Sequence, residues 1–288
     1  MKVENMTSNK TSLSSIIPTL YIISTPIGNI KDITLRALEK LQELDYIACE
    51  DTRVSAKLLQ HYNIKAKTFS YHEHNKEVSS ERIIDLLKSG NSVGLISDAG
   101  MPLVSDPGYV LVKRCIEEDI DITCLPGATS SLTALSLSGL PSDSFYFNGF
   151  LPNKSGARVK KLEELKNIKT TLIFFDSAKR LISSLEDMHS VLGDLEVAVA
   201  RELTKRFEEV KRGSLSSLVE FYQENGAPKG EIVIVVKNDK KEEMKQEYVD
   251  ILILKLLKDN KVKEVARQLS EEYNLNKNEI YKRALEIK

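Results

Sequence analysis

Two short segments concentrate groups able to move a proton or hold an anion. IACEDTR ends an apolar run with Glu50, Asp51 and Arg53. Further along, YHEHN holds His72, Glu73 and His74, so two of the chain's four histidines fall in one pentapeptide. A carboxylate accepts a proton, an arginine grips a phosphate, and an imidazole titrates near neutral pH. The plainer readings are a helix N-cap for Asp51 and a surface turn for His72 and His74.

Four loops rich in Gly, Pro, Ser, Thr and Asp accompany these segments: TPIGN (25–29), SDAGMPLVSDPG (97–108), LPGATSS (125–131) and DSAKR (176–180). Each follows an apolar run. In open α/β sheets, ligands sit in the crevice beyond the carboxyl ends of strands. Several such loops point to a cleft for a polar small molecule, against the alternative of tight turns alone. GxGxxG is absent after the first strand, where only Gly28 stands, and the phosphate loop GxxxxGK[ST] is absent too. A nicotinamide or ATP site of the usual kind is therefore not expected.

The elements that must position these groups follow a βαβα rhythm. Apolar runs at 20–25, 46–49, 93–97 and 120–125 read as strands. Helical spacing marks 33–44, 55–62, 77–88 and 108–118 between them. This predicts an α/β domain with a largely parallel sheet. A second set begins after Pro126-Gly127. It has a small-residue helix at 129–138 ending at Gly139, and strands at 171–175, 196–200 and 231–236. Beyond the charged stretch NDKKEEMKQE there is no strand signal, and residues 248–257, 262–273 and 277–286 read as three short helices. Asn276 and Glu279 resemble a capping pair for the third.

The organisation expected is a flexible lead-in (1–18), an N-terminal α/β domain (19–127), a second α/β domain (128–238), a linker (239–247) and a helical extension (248–288). In that extension Lys255, Lys258, Lys261, Lys263, Arg267, Lys282 and Arg283 form a candidate basic, RNA-binding face; Glu264, Glu271, Glu272 and Glu279 would balance it as a solvated appendage. The formal net charge of −1 does not mark a strongly basic nucleic-acid binder overall. No apolar run reaches the roughly 18 residues that span a bilayer. The polar start lacks the apolar stretch of a signal peptide, and a cytoplasmic protein is expected. Cys49, Cys115 and Cys124 each lie in or beside an apolar run and are expected as buried free thiols. No Cys/His cluster has zinc spacing, so no metal is expected.

In order, TPIGN, CEDTR, SYHEHN, SDAGMPLVSDPGY, GLPSDSF, GFLPNKSG, ARELTK and KGEIV resemble the bacterial 16S ribosomal RNA 2′-O-ribose (cytidine) methyltransferase I family of the tetrapyrrole methylase superfamily. The resemblance covers residues 20–237, and the helical tail resembles the family's C-terminal extension. It implies a pair of α/β domains with S-adenosylmethionine in the cleft between them. It also implies methylation of a cytidine ribose 2′-hydroxyl in the decoding region of 16S rRNA, within the small ribosomal subunit, by a homodimer. Two departures stand out. The family's E-S-x-H-R is here Asp176-Ser177-Ala178-Lys179-Arg180, with lysine in place of histidine, and its P-G-P is Pro126-Gly127-Ala128.

By this resemblance, Pro26, Gly28, Asp98, Gly100, Ser130 and Gly230 line the cofactor cleft, with the backbone around Ala200 and Ile232. Asp98 would accept hydrogen bonds from the cofactor's ribose or ammonium. Asp51 or Glu50 is the candidate base, and Arg53 the candidate clamp for substrate phosphate. Two other readings remain open: a methylase of tetrapyrrole or corrinoid precursors on the same fold, and a non-catalytic, ribosome-associated RNA-binding protein.

Overall fold

The computed structural model describes residues 18–238, 246–273 and 275–287. The expected lead-in through residue 17 and residues 239–245 of the expected linker lie outside the described residues, while Gln246 and Glu247, also expected in the linker, are helical. Residues up to Asn238 form one compact unit and those beyond it a second.

The first sheet contains β1 (Thr19–Ile23), β2 (Tyr46–Cys49), β3 (Lys67–Ser70), β4 (Val93–Ile96) and β5 (Asp121–Leu125). Their order is β3-β2-β4-β1-β5, and every pair is parallel. Between them run α1 (Leu35–Glu43), α2 (Thr52–His61), α3 (Lys76–Lys88) and α4 (Tyr109–Glu117). Side chains of α1 and α2, with Ala37, Leu41 and Leu59, pack on one face against Ile23, Ile47 and Ile96. Ile83, Ile84, Leu87 and Leu111 of α3 and α4 cover the other face, against Leu20, Ala48 and Leu95. Every residue of β4 is buried, which is why VGLI shows no polar alternation.

This strand order sets the site. The chain leaves β1 towards β2 on one side and leaves β4 towards β5 on the other. Adjacent strands whose connections diverge open a crevice at their carboxyl ends. TPIGN and SDAGMPLVSDPG are the loops at that point.

The second half of the unit starts with α5 (Ser130–Ser138), stopped by left-handed Gly139. Then come β6 (Phe145–Phe150), α6 (Ser155–Leu165), β7 (Thr170–Ser177), α7 (Leu181–Leu192), β8 (Glu196–Arg201), β9 (Glu209–Ser214), α8 (Leu215–Asn225) and β10 (Glu231–Asn238). The sheet order is β6-β7-β10-β8-β9. Only β6–β7 is parallel; the other pairs are antiparallel. The expectation of a largely parallel sheet thus holds for the first sheet and not for the second. α6, α7 and α8 bury one face through Leu162, Leu185 and Leu218. α5 covers the other through Ala134 and Leu135, and Ile27 of the first half's TPIGN loop joins that core.

Past residue 245, α9 (Gln246–Leu256), α10 (Val262–Tyr273) and α11 (Lys277–Ile287) bury their own small core around Ile253, Val265, Ala266, Leu269, Ile280 and Ala284. Asn276 Oδ1 accepts the amide of Asn278 at 3.0 Å, capping α11. Of the cysteines, Cys49 and Cys115 are buried, but Cys124 is exposed. It lies on β5, an edge strand whose residues alternate poorly and stay largely open.

Candidate active site

The loops meet through their backbones. Thr25 and Gly100 exchange two hydrogen bonds, N–H to O at 2.8 Å and 3.1 Å. Thr25 Oγ1 also donates to the Ser97 carbonyl at 3.1 Å, and Ser24 Oγ to that of Ala128 at 2.8 Å. The Asn29 amide donates to Thr204 Oγ1 at 2.9 Å, tying the first half's loop to the ARELTK loop of the second. Among the described residues, six that are not glycine have positive φ, and four of them, Leu103, Ser105, Glu202 and Thr204, sit in these two regions. Such backbone is costly, persists only where packing enforces it, and clusters at functional sites.

A cavity of about 290 Å³ opens at this junction. Pro26, Gly28 and Asp98 line it, with Ser55, Lys205 and Glu231. Gly28 has no space for a side chain: a Cβ there would lie 2.5 Å from Lys205 Cγ and 2.8 Å from the Leu203 carbonyl. Ser55 Oγ is buried with no hydrogen bond of normal geometry, although it lies close enough to the Cys49 thiol to interact with it. An unmet hydroxyl in a cleft wall suits a polar ligand.

The other expected cofactor residues are not among those lining the cavity. Gly100 is the loop partner of Thr25, in a left-handed conformation at φ +84°. Ser130 opens α5. Gly230 precedes Glu231 at φ +113° and packs on the Glu202 side chain. Ala200 and Ile232 are core residues of β8 and β10.

Beside the cavity stand three carboxylates. Asp98 Oδ1 accepts the Asp51 amide at 3.0 Å, and Glu50 Oε2 accepts the Asp98 amide at 3.3 Å. Burial pushes Asp98 above the usual carboxyl range. Asp106 is pushed up to about 6, first by burial and then by the nearby charges of Glu50 and Asp98. Sequence reasoning did not single out Asp106, although it lies in the quoted motif SDAGMPLVSDPG; a D-P-G tripeptide reads as an ordinary turn. Lys205 and Ser55 were also missed.

Asp51 and Arg53 are occupied with each other. Asp51 is the N-cap of α2, its Oδ1 accepting the Arg53 amide at 2.8 Å. The Arg53 guanidinium reaches Oδ1 at 3.1 Å and Oδ2 at 2.7 Å. Together these hold the Asp51 carboxyl down near about 2, and a carboxylate so well satisfied is a weak proton acceptor. Arg53 remains open to solvent, with 89% of its side chain exposed. His72 and His74 lie in the turn after β3, rings 6.0 Å apart, and His72 Nδ1 is buried without a partner.

Paired α/β sheets, strand-end loops and a cleft at the switch point describe an α/β scaffold built to bind a ligand. The tetrapyrrole (corrin/porphyrin) methylase family matches residues 19–219, and the chain belongs to that family. It is 47% identical to the ribosomal RNA small subunit methyltransferase I of Mesorhizobium japonicum, over 94% of this chain and 92% of that protein. It is 46% identical to the protein of the same name from Vibrio cholerae, over 98% and 99%. Two solved structures share the fold at low identity. A cobalt precorrin-4 methyltransferase has a TM-score of 0.57 at 19% identity, over 81% of this chain and 100% of that one. A diphthine synthase has a TM-score of 0.61 at 18%, over 76% and 89%. The methyl donor of this family is S-adenosylmethionine.

Proposed function

We propose that the protein methylates ribosomal RNA, at the ribose 2′-hydroxyl of a cytidine in the decoding region of 16S rRNA within the small ribosomal subunit. The observation that carries this reading is the cleft at the β1/β4 switch point, with Asp98 in its wall and Glu50 and Asp106 beside it. The relatives' shared name supports the choice of rRNA over a tetrapyrrole precursor. No described helix is long and apolar enough to cross a membrane.

When bound, S-adenosylmethionine supplies an electrophilic methyl group on a sulfonium. Pro26, Gly28 and Asp98 would hold it, and Gly100, Ser130, Gly230 and the backbone at Ala200 and Ile232 are the further residues proposed for it. The chain then aligns the acceptor and removes a proton. Alignment is worth effective molarities on the order of 10⁵–10⁸ M, and a positioned base about 10²–10⁴-fold. Glu50 or Asp51 would take the proton of the 2′-hydroxyl as that oxygen is methylated. Between the two candidates, Glu50 is better placed, because Asp51 is taken up by its own helix and Arg53. Arg53 contacts a substrate phosphate with the face it leaves in solvent.

The working unit is proposed to be a homodimer. The exposed Leu132 and Leu137 on α5, 44% and 36% accessible, support a protein partner there. A monomer mass by light scattering at micromolar concentration overturns this part.

Mass spectrometry of 16S rRNA from cells with and without the protein tests the main reading. Loss of one 2′-O-methyl group from a cytidine is expected; unchanged rRNA overturns it. In vitro, Glu50→Gln and Arg53→Ala should keep cofactor affinity and lose most methyl transfer, on the order of 10²-fold or more for the base. Full turnover by both variants shows them to be structural.

A further inference from the structure

Within the unit that ends at Asn238, a further cavity takes no part in this mechanism. It measures about 700 Å³ and lies at the carboxyl ends of β6 and β7, lined by Phe150, Pro152, Asn153, Ser177, Lys179 and Arg180. We propose that it is a second RNA subsite, taking a nucleotide that flanks the methylated one, with its base on Phe150 and its phosphate on Lys179. This rests on the rRNA reading above and adds to it where the substrate strand runs.

The walls supply the two contacts that single-stranded RNA needs: an aromatic face for a base and a cation for the backbone. Phe150 ends β6 with 59% of its surface exposed. Its ring is held edge-on to Phe175 at 5.4 Å, and Phe147 braces Phe175 from the same strand at 4.8 Å. The platform is therefore rigid yet open. Lys179 is exposed and has no ion pair among the described residues. Arg180 is a frame rather than a free charge. Its guanidinium bonds to buried Asp176 at 2.8 and 3.0 Å, to the Leu151 carbonyl at 3.0 Å and to the Asn153 side chain. It thus pins the β6–α6 and β7–α7 turns together and fixes the cavity's shape. α6 and α7 both begin at this rim without a side-chain cap, which leaves first-turn amides to face an anion.

Position argues for a flanking nucleotide and against an unrelated ligand. Ser177, in the wall of this cavity, pairs across the sheet with Glu231, in the wall of the cofactor cleft. Neighbouring strands lie only about 4.8 Å apart. On the other side, a Cβ at Gly149 would come within 2.9 Å of Ser105 Oγ, so β6 abuts the loop that carries Asp98 and Asp106 one residue before Phe150.

The test uses the full-length protein and purified small subunits, with KM, kcat, cofactor affinity and salt dependence measured for the wild type, Phe150→Ala, Lys179→Ala and Lys179→His. Phe150→Ala should raise KM for the subunit roughly tenfold, the loss of one stacked base. Lys179→Ala should raise KM and make the salt slope shallower by about 1. Lys179→His should give a KM that climbs from pH 6 to pH 8 as the imidazole, which titrates near about 6.5, loses its charge. The wild type should show no such climb. Cofactor affinity should not move, and the effects should fall on KM rather than kcat. Unchanged KM and salt slope in these variants, with a wild type that methylates, overturn the subsite alone. So does a Phe150→Ala that changes only the oligomeric mass, because the face is then a protein contact. A wild type that does not methylate 16S rRNA overturns the reading, and the subsite with it.

Discussion

Asp106 shows how a single carboxyl reports its surroundings. Its ordinary value is 3.8, and burial beside Glu50 and Asp98 lifts it to about 6. The folded chain therefore binds this proton more tightly than the unfolded chain. Below pH 4 both states hold the proton and nothing is gained or lost. As pH rises from 4 to 6 the unfolded chain gives up this proton while the native state still holds it, so stability falls, and it levels off once the half-buried acid ionises in the fold. Asp106→Asn removes that penalty. Thermal unfolding should show the variant level with the wild type near pH 4 and more stable at pH 7 and above; an offset independent of pH would assign the effect to packing. Asp51 has the opposite sign. Held near about 2 by Arg53, it favours the fold above pH 4, and that contribution fades as pH falls towards 2.

At the scale of elements, the cleft depends on how closely two loops approach. The β1 loop passes Leu203–Lys205 with only Gly28 able to fit, because the nearest obstacle to a Cβ includes the Leu203 backbone. Gly28→Ala should push the loops apart, lower the melting temperature and weaken S-adenosylmethionine binding together, as read by calorimetry; unchanged affinity would place the cofactor elsewhere. The same elements explain what the sequence made legible. VGLI and IVIVV are buried along their length, and unbroken apolar runs announce them. KTFS and EVKRGS form β3 and β9 at sheet edges, mostly exposed or half-exposed, so their patterns resemble loops. The loops that meet at the cleft were readable because parallel strands end in small residues at the crevice. Asp106 and Lys205 were not, because their roles come from neighbours distant in sequence.

At the scale of the molecule, Asn238 marks where the first unit closes. Its side-chain amide donates to the carbonyls of Leu165, Lys166 and Ile168, the nearest at 2.9 Å. A chain ending just after Asn238 keeps these bonds, and should fold and bind S-adenosylmethionine like the full protein. Its affinity for the small subunit should fall, with a shallower salt dependence, if the tail holds RNA. The tail's charges are partly spent: Arg283 pairs with Asp250 at 2.7 Å, and Arg267 with Glu264 at 3.2 Å. Lys255, Lys258, Lys261, Lys263 and Lys282 stay exposed. Equal affinity and slope for both lengths would make the tail a solvated appendage. The seam between the two sheets has a different consequence. The Asn29 amide crosses it to Thr204, while those of Thr25 and Gly100 stay within the first half. Dissolved in deuterated water, the protein carries its own gauge of local opening. Thr25 and Gly100 should lose their protons at one common rate, Asn29 should follow the parting of the halves, and filling the cleft should slow Asn29 most.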